Sequence, residues 1–347
     1  MKLIELHILQ SYPVSCLNRD DVGAPKSALF GGVNRARLSS QCLKRASRIF
    51  AKEEYPDQPF AGVRSRLIVG PFEEALSKLG VEEEEAKSTA QDIAKVLSKM
   101  DDEEKGEVTT AVYLSPGEIE QIAAAVKDGD KPEKAVKKAQ RLDGADIALF
   151  GRMVANDATL NVEAASMFGH ALSVHRCDND LDFFSAVDDR KQDSEDAGAG
   201  MIGTLEFNAA TYYRYCALNV DLLASDTHLG GLDSDARKAV VETFLRSVIL
   251  SVPSARRYSM NADTRPAFVL GTYREKGTPF QLVNAFEEPV FTNKGGGLIA
   301  PAIEKLKAHN ERQKDVWGIS NDVESIISDD TGTLDELVGQ LTAPLGS

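Results

Sequence analysis

The chain has 347 residues, of which 42% are hydrophobic and 27% are charged, so it can form one large elaborated domain or two modest ones. This apolar content excludes disorder along the whole chain, and the lack of a run of about 18 apolar residues excludes a membrane-spanning helix. Four widely spaced cysteines argue against a zinc or disulfide scaffold and indicate a cytoplasmic location. The net charge of −14, taken alone, argues against nucleic acid as a partner.

The hydrophobic pattern predicts a mixture of strands and helices. Alternating residues predict strands at 2–11 and near 110–114, 145–154, 166–176, 205–223 and 266–273. Spacings of three and four predict helices at about 40–55, 64–79, 82–99, 116–127, 131–142 and 234–251. Because no strict βαβ repeat occurs, the pattern favours an α+β fold, with a mostly helical insertion at 64–143. A polar, glycine-rich stretch at 188–204 predicts a projecting hairpin or loop.

The charge is distributed unevenly along the chain. The 31 residues from Val22 to Lys52 contain no acidic side chain and seven basic ones, so this window is +7 in a protein of −14. Local fields, rather than net charge, steer polyanions to a surface. The window therefore predicts a basic surface, which is either a solvated face or a binding site for an anionic polymer.

The same window carries the signals of a helix start. Ser39 and Ser40 can cap a helix, and the free N–H groups of a helix N-terminus attract anions. Arginine side chains on the first two turns would add forked donors for phosphate. We interpret this combination as a phosphate cradle that does not read base sequence. Its candidate ligands are Arg19, Lys26, Arg37, Ser39, Ser40, Gln41, Lys44, Arg45 and Arg48.

A second basic stretch, at 131–141, contains Glu133 as its one acidic residue. Four of its basic side chains fall on one face of the predicted helix: Lys134, Lys137, Lys138 and Arg141. That face is either a second phosphate track, for duplex DNA, or an exposed helix that lysine makes soluble.

The sequence contains no convincing catalytic or metal-binding motif. The run at 178–182 begins like a calcium loop, but Phe183 occupies the position that needs glycine. His170 and His175 would face opposite sides of a strand, so joint ligation of a metal is not expected. The GxSxG and HExxH motifs do not occur. We therefore expect no catalytic site, no metal and no cofactor.

Nine stretches follow one another in the order known from one protein family: Ser15–Asp21, Phe30–Gly32, Arg37–Ala46, Asp146–Met153, Asp180–Asp189, Gly203–Phe207, Tyr213–Tyr215, Val252–Ala255 and Asn284–Glu287. They resemble the backbone subunit of the type I-E CRISPR Cascade, the CasC family. The resemblance covers about residues 3–290 and is very specific at the N-terminus.

This resemblance implies a ferredoxin-like (RNA-recognition-motif) palm at 1–60 and 144–347, a helical fingers insertion at 61–143 and a β-hairpin thumb at 188–204. It implies a non-catalytic protein whose copies stack as a helical filament on CRISPR RNA (crRNA), together with other Cascade subunits, and present a kinked guide to target DNA. Arg152, within a matching stretch, joins the candidate crRNA ligands. Met201 and Ile202 either pack into the core or wedge between guide bases.

Two alternatives stay open at this point. A CRISPR-type endoribonuclease that processes repeat RNA would share the palm, and it would need a base such as His7 or His170 beside the cradle. A phosphate-binding metabolic enzyme would bind small phosphates without preferring long RNA.

Overall fold

The computed structural model of the chain describes residues 1–154, 156–186, 201–291 and 296–346. The strands within these residues are β1 (Leu3–Ser15), β2 (Ser27–Phe30), β3 (Val33–Leu38), β4 (Val63–Leu67), β5 (Met100–Asp102), β6 (Glu107–Leu114), β7 (Ser166–Phe168), β8 (Ala171–Ser173), β9 (Asp180–Ala186), β10 (Met201–Asn219), β11 (Phe268–Arg274) and β12 (Val323–Ser328). The α-helices are α1 (Ser40–Glu54), α2 (Val69–Lys78), α3 (Glu83–Leu97), α4 (Pro116–Lys127), α5 (Pro132–Lys138), α6 (Ala145–Phe150), α7 (Val220–Leu223), α8 (Ser234–Leu250), α9 (Ile299–Trp317) and α10 (Leu334–Thr342). The predicted α+β class is confirmed.

A large antiparallel sheet is built around the first strand of the chain. Its order is β12-β11-β1-β10-β8-β3-β2, and β7 and β9 also pair with β10. The alternation that predicts β1 places Ile4, Leu6 and Ile8 on one face of the sheet, and Leu3 and Leu9 on the other. Both faces of this central strand are therefore apolar, and both need a covering layer.

Different helices cover the two faces of the large sheet. Residues of α1, α8 and α10 form one apolar core with Ile4, Leu6 and Ile8. Residues of α9 and the 280–290 segment form another core with Leu3 and Leu9. The part of the chain after residue 300, for which the sequence predicted no element, thus contributes to both layers.

Two predicted elements are wrong. Residues 145–150, predicted as part of a strand, form α6, because a short buried apolar run has no period that separates a strand from a helix. Residues 64–67, predicted as part of a helix, belong to β4, which pairs with β6, and the helix begins only at Val69.

Residues 61–143 contain a small sheet in addition to the predicted helices. Its strand order is β4-β6-β5, and its apolar core includes Phe72 of α2, Ile93 of α3 and Ile122 of α4. The chain enters and leaves this part side by side, since Ala61 N donates to Asp143 O at 3.0 Å. The helices predicted for this region are present, and β6 contains the strand predicted near 110–114. The strands β4 and β5 were not predicted from the sequence.

β9 and the first part of β10 form a hairpin. Asp180–Ala186 pair with residues 201–207, and β10 pairs with β1 only from Asn208 onward. The paired strands begin at residue 180, which is earlier than the hairpin predicted at 188–204. Residues 188–200 of that prediction lie outside the described residues.

The β2–β3 hairpin turns through two glycines and packs against the segment that contains Glu287. Gly31 and Gly32 have φ angles of 59° and 75°, in the left-handed region. A Cβ on Gly31 would lie 1.7 Å from Glu287 O, whereas a Cβ on Gly32 would have no atom within 4 Å. The first glycine therefore permits a close backbone approach, and the second permits only the turn.

We expect Gly31→Ala to lower the free energy of unfolding by about 3–4 kcal/mol, since left-handed strain adds to an overpacked contact. Gly32→Ala is the matched control, with an expected loss of about 1–2 kcal/mol from strain alone. Urea unfolding followed by circular dichroism measures both variants. Equal losses would contradict the close approach at Glu287.

His7 is buried on the α9 face of β1, with 3% of its surface exposed. Its Nδ1 lies 2.9 Å from Tyr213 Oη, and Leu282 N donates to the same oxygen at 2.9 Å. The Tyr213 hydroxyl hydrogen is therefore available to Nδ1, and burial lowers the pKa of His7 to about 3. Because the imidazole is enclosed in the core, His7 cannot serve as the surface base that the endoribonuclease alternative needs.

This histidine should make the fold sensitive to acid. Its pKa is 6.5 in the unfolded chain and about 3 in the folded one, so its contribution to stability is complete above pH 6.5 and is lost as the pH falls toward 3. At about pH 5 the loss should be about 2 kcal/mol relative to about pH 7. In His7→Gln, the difference between the unfolding free energies at these two pH values should shrink by that amount. If the variant keeps the full difference, His7 is not the group responsible.

Candidate nucleic-acid interface

The N-terminus of α1 is organised as the sequence predicts. Ser39 is the N-cap, and its Oγ accepts a hydrogen bond from Cys42 N at 3.3 Å. The Ser39 N–H in turn donates to Asn18 Oδ1 at 2.8 Å, which attaches the helix start to the loop after β1. The buried face of the helix contains Leu43, Ser47 and Ala51 and packs against α8. The polar side chains on either side of this buried face do not contribute to the core.

One of these rows, Ser40, Lys44 and Arg48, follows the helix at intervals of four residues; we call it the α1 row. Lys44 Nζ lies 5.7 Å from the ring centre of Phe168, and burial lowers the pKa of this ammonium. Arg48 Cζ lies 5.4 Å from the ring centre of Tyr113. Lys44 and Arg48 are therefore half-buried, and each makes a cation–π contact with an aromatic ring.

Lys26, Arg37 and His170 stand at the N-terminal end of the α1 row. His170 Nδ1 lies 3.4 Å from Arg37 Nη1 and 3.4 Å from Ser40 N. Burial, followed by the charges of Arg37 and Lys26, lowers the pKa of His170. Two cations and a neutral imidazole thus surround the first turn of α1.

Arg45 lies on the opposite side of α1. It lines a groove of about 960 Å³ between α1 and residues 250–265, together with Arg257 and Arg265. Tyr258, which is fully exposed, also lines this groove, and so does Glu53. The helix therefore divides the predicted cradle into two surfaces, and the sequence reading missed the residues from 250–265 that form the second.

Arg19 lies in the loop between β1 and β2, exposed to solvent. An isolated bridge joins it to Pro25, so it is close in space to Lys26. Lys26 N also donates to Asn18 O at 2.8 Å, in the same loop that attaches Ser39. The loop therefore brings two predicted cationic ligands to the start of α1, and Gln41 is exposed on the first turn.

The prediction that Arg152 binds phosphate is wrong for this structure. Its side chain is buried, and Nη1 lies 2.8 Å from Oε1 and 2.9 Å from Oε2 of Glu118, which is also buried. The other guanidinium nitrogens donate to Leu160 O at 3.3 Å. A buried guanidinium that is paired with a buried carboxylate is not accessible to a phosphate, so Arg152 has a structural role.

The basic side chains at 131–141 do not form the single exposed face that the sequence predicts. Its helix, α5, ends at Lys138, so Arg141 lies beyond it and is 3.9 Å from the buried Glu118. Lys134 and Lys138 both contact Asp130, at 2.5 and 3.3 Å, and Lys137 lies 3.5 Å from Asp157. The three lysines stay exposed, whereas Arg141 is half-buried and no longer belongs to their face.

The β9–β10 hairpin exposes apolar side chains. Leu181 and Phe183, two residues apart on β9, are 73% and 66% exposed, and Phe184 is 41% exposed. The sequence signal for these residues is the alternation of acidic and apolar side chains in Asp180–Phe183. The side chains of Met201 and Ile202, the predicted wedge, lie outside the part of the chain that the structure describes.

The four described stretches hold no group of three or more histidine, cysteine, aspartate or glutamate side chains that could bind a metal ion. In the same stretches, no helix combines the length and the apolar character that crossing a membrane requires.

The chain and its fold have counterparts among known proteins. The model of the CT1975-like protein family matches residues 4–343. A chain in a solved structure described as "CRISPR RNA-guided surveillance complex, pre-nicking" is 27% identical over 99% of both chains, with a TM-score of 0.81. A chain in another, described as "CRISPR RNA-guided surveillance complex", is 24% identical over 99% of both chains, with a TM-score of 0.70, and this likeness shows the fold alone. No curated protein matches the chain.

The family match spans nearly all of the chain, including the N-terminal stretches that carry the resemblance to Cascade backbone subunits. The similarity to the first solved chain likewise extends from end to end. The resemblance is therefore confirmed, and the chain belongs to the CT1975-like protein family.

Proposed function

We propose that this protein is a non-catalytic backbone subunit of a CRISPR RNA-guided surveillance complex. Several copies bind one crRNA through its phosphates, kink it at intervals, and present it for pairing with target DNA. The observation that carries this proposal is the cluster of Lys26, Arg37 and the α1 row around a capped helix N-terminus, in a protein of net charge −14. The similarity to chains of surveillance complexes supports it.

The order of the central strands supports a ferredoxin-like palm. In the order β11-β1-β10-β8, β1 is the first strand, β8 the second, β10 the third and β11 the fourth. α1 follows the first strand and α8 follows the third, which gives the βαββαβ connectivity of that fold. We assign residues 61–143 to the fingers and the β9–β10 hairpin to the thumb.

The covered sheet explains why the RNA contacts gather on α1. RNA-recognition motifs bind bases on aromatic side chains of an exposed sheet face. In this protein α9 and the 280–290 segment cover that face, and Tyr213 and Phe286 pack within the core. The helix start and its cations are left to bind the backbone of the guide, which allows any guide sequence.

The hairpin supplies a reason for assembly into a filament. An isolated hairpin is marginal in water, and Leu181 and Phe183 add exposed apolar surface to it. We propose that it reaches a neighbouring copy and the guide, with these side chains joining Met201 and Ile202 as candidates for the wedge. Such head-to-tail contacts do not close on themselves, so they generate an open helical assembly along crRNA.

One observation favours the alternative function of an endoribonuclease, because His170 places an imidazole beside Arg37 and Lys26. Cleavage of repeat RNA by the purified protein, lost in His170→Ala, would support that alternative. Intact RNA after prolonged incubation would support the backbone subunit.

The guide contacts can be tested at Lys26 and Arg45, whose side chains form no hydrogen bond or ion pair with another described residue. The double variant with alanine at both positions should fold normally and bind all single-stranded RNAs more weakly. The slope of log affinity against log salt should fall by about 1.4, or about 0.7 per lost phosphate contact. Fluorescence anisotropy across a salt series measures this, and sedimentation on longer RNA measures assembly.

The matched control carries alanine at Lys87 and Lys276, two exposed lysines outside the cradle, and changes the net charge equally. If the salt dependence of RNA binding is unchanged in the Lys26 and Arg45 variant, or changes equally in the control, the proposed RNA site is wrong.

The three lysines of α5 can be tested for contact with target DNA, which we propose as their function. Replacing Lys134, Lys137 and Lys138 with glutamate should leave RNA-dependent assembly intact. It should weaken capture of duplex target by the assembled complex by about tenfold or more at low salt, because three phosphate contacts become repulsive. The control reverses Lys87, Lys99 and Lys276. Parent-like capture by the α5 variant would show that the helix is only a solvated surface.

A further inference from the structure

The orientation of the His170 ring is determined by two donors. His170 lies in the turn between β7 and β8, where its Nδ1 faces Arg37 Nη1 and Ser40 N, each at 3.4 Å. A guanidinium and a backbone N–H can only donate hydrogen bonds. Nδ1 is therefore an acceptor in this arrangement, and the ring hydrogen belongs on Nε2.

The Nε2–H group is left unused inside the protein. His170 is exposed, and within the described residues Nε2 has no hydrogen-bond partner. The other ring nitrogen is bound to the same groups, Arg37 and Ser40, that border the proposed phosphate site. A neutral donor thus stands among the cations of the cradle.

We propose that His170 is an RNA-binding residue that donates from Nε2 to a guide phosphate as a neutral imidazole. This inference rests on the proposed function and deepens it. A cation that neutralises a phosphate releases counterions, and this release produces the salt dependence of binding. A neutral donor replaces a water and releases no counterion, so His170 should add affinity that salt does not weaken.

The same geometry separates this role from two others. A general base must present an unprotonated nitrogen to the RNA, but the lone pair of Nδ1 is directed at Arg37 and Ser40. An imidazolium would place a hydrogen on Nδ1 against those two donors. The positive charges of Arg37 and Lys26 oppose this protonation as well.

The experiment measures affinity for a single-stranded RNA across a salt series for a set of full-length variants. His170→Ala should bind about tenfold more weakly at every salt concentration, the effect of one hydrogen bond to a charged group, and with an unchanged slope. His170→Gln, whose amide N–H can occupy the place of Nε2–H, should keep most of the affinity. Arg37→Ala should lose affinity and also lower the slope by about 0.7. His309→Ala, on α9, is the control for histidine replacement.

The outcomes are distinct. If the parent protein does not bind RNA, both the proposed function and this inference are overturned. If the parent binds and His170→Ala binds equally well, only the inference falls. A lower slope in His170→Ala would mean that the ring is a cation in the complex, and it would overturn the neutral donor.

Discussion

The buried guanidinium of Arg35 holds together the segments that position the proposed RNA-binding surface. It donates to Phe30 O at 3.2 Å, to Ser173 O at 3.0 Å and to Phe286 O at 2.8 Å, and no part of it is exposed. A buried charge is tolerated only while its donors are satisfied, so β2, β8 and the 283–287 turn must keep their positions around it. β3, which carries Arg35, continues directly into α1. Arg35 therefore helps to fix the position of the helix start, together with the hydrogen bond from Ser39 N to Asn18 Oδ1.

The layers on the sheet determine where the protein can bind a polyanion. Within the described residues, α9 packs on one face of the central strand β1, and α1, α8 and α10 pack on the other, so both faces of this strand are covered. At the N-terminus of α1, where Lys26, Arg37 and His170 meet, Ser40 N and Cys42 N already have partners, so the side chains are the main donors left for an anion. A chain with net charge −14 thus carries a local cluster of cations at the start of α1, where short-range attraction for an anion can outweigh a repulsion that salt screens elsewhere.

The residues of the candidate site show which features could be predicted from the sequence. The sequence predicted an N-cap at Ser39 or Ser40, since capping depends on residues only three positions apart, and Ser39 occupies that position. Arg37 and Arg35 are indistinguishable in a count of charges, yet one is partly exposed and the other is fully buried. Arg152 was assigned to phosphate, but Glu118, 34 positions away, pairs with it. Depth and distant partners decide whether an arginine is a ligand or a structural group.

The sequence by itself determined the features that depend on neighbouring residues: the α+β class, the central strand β1, the capped helix α1 and the acid-free window around it. The sequence also identified the family, because the resemblance rests on short continuous stretches of residues. Only the tertiary structure decided that α1 separates Arg45 from Lys44, that His7 is enclosed while His170 is exposed, and that β9 presents Leu181 and Phe183 to solvent. These outcomes depend on which elements pack together over long separations in the chain, and local patterns contain no information about such packing.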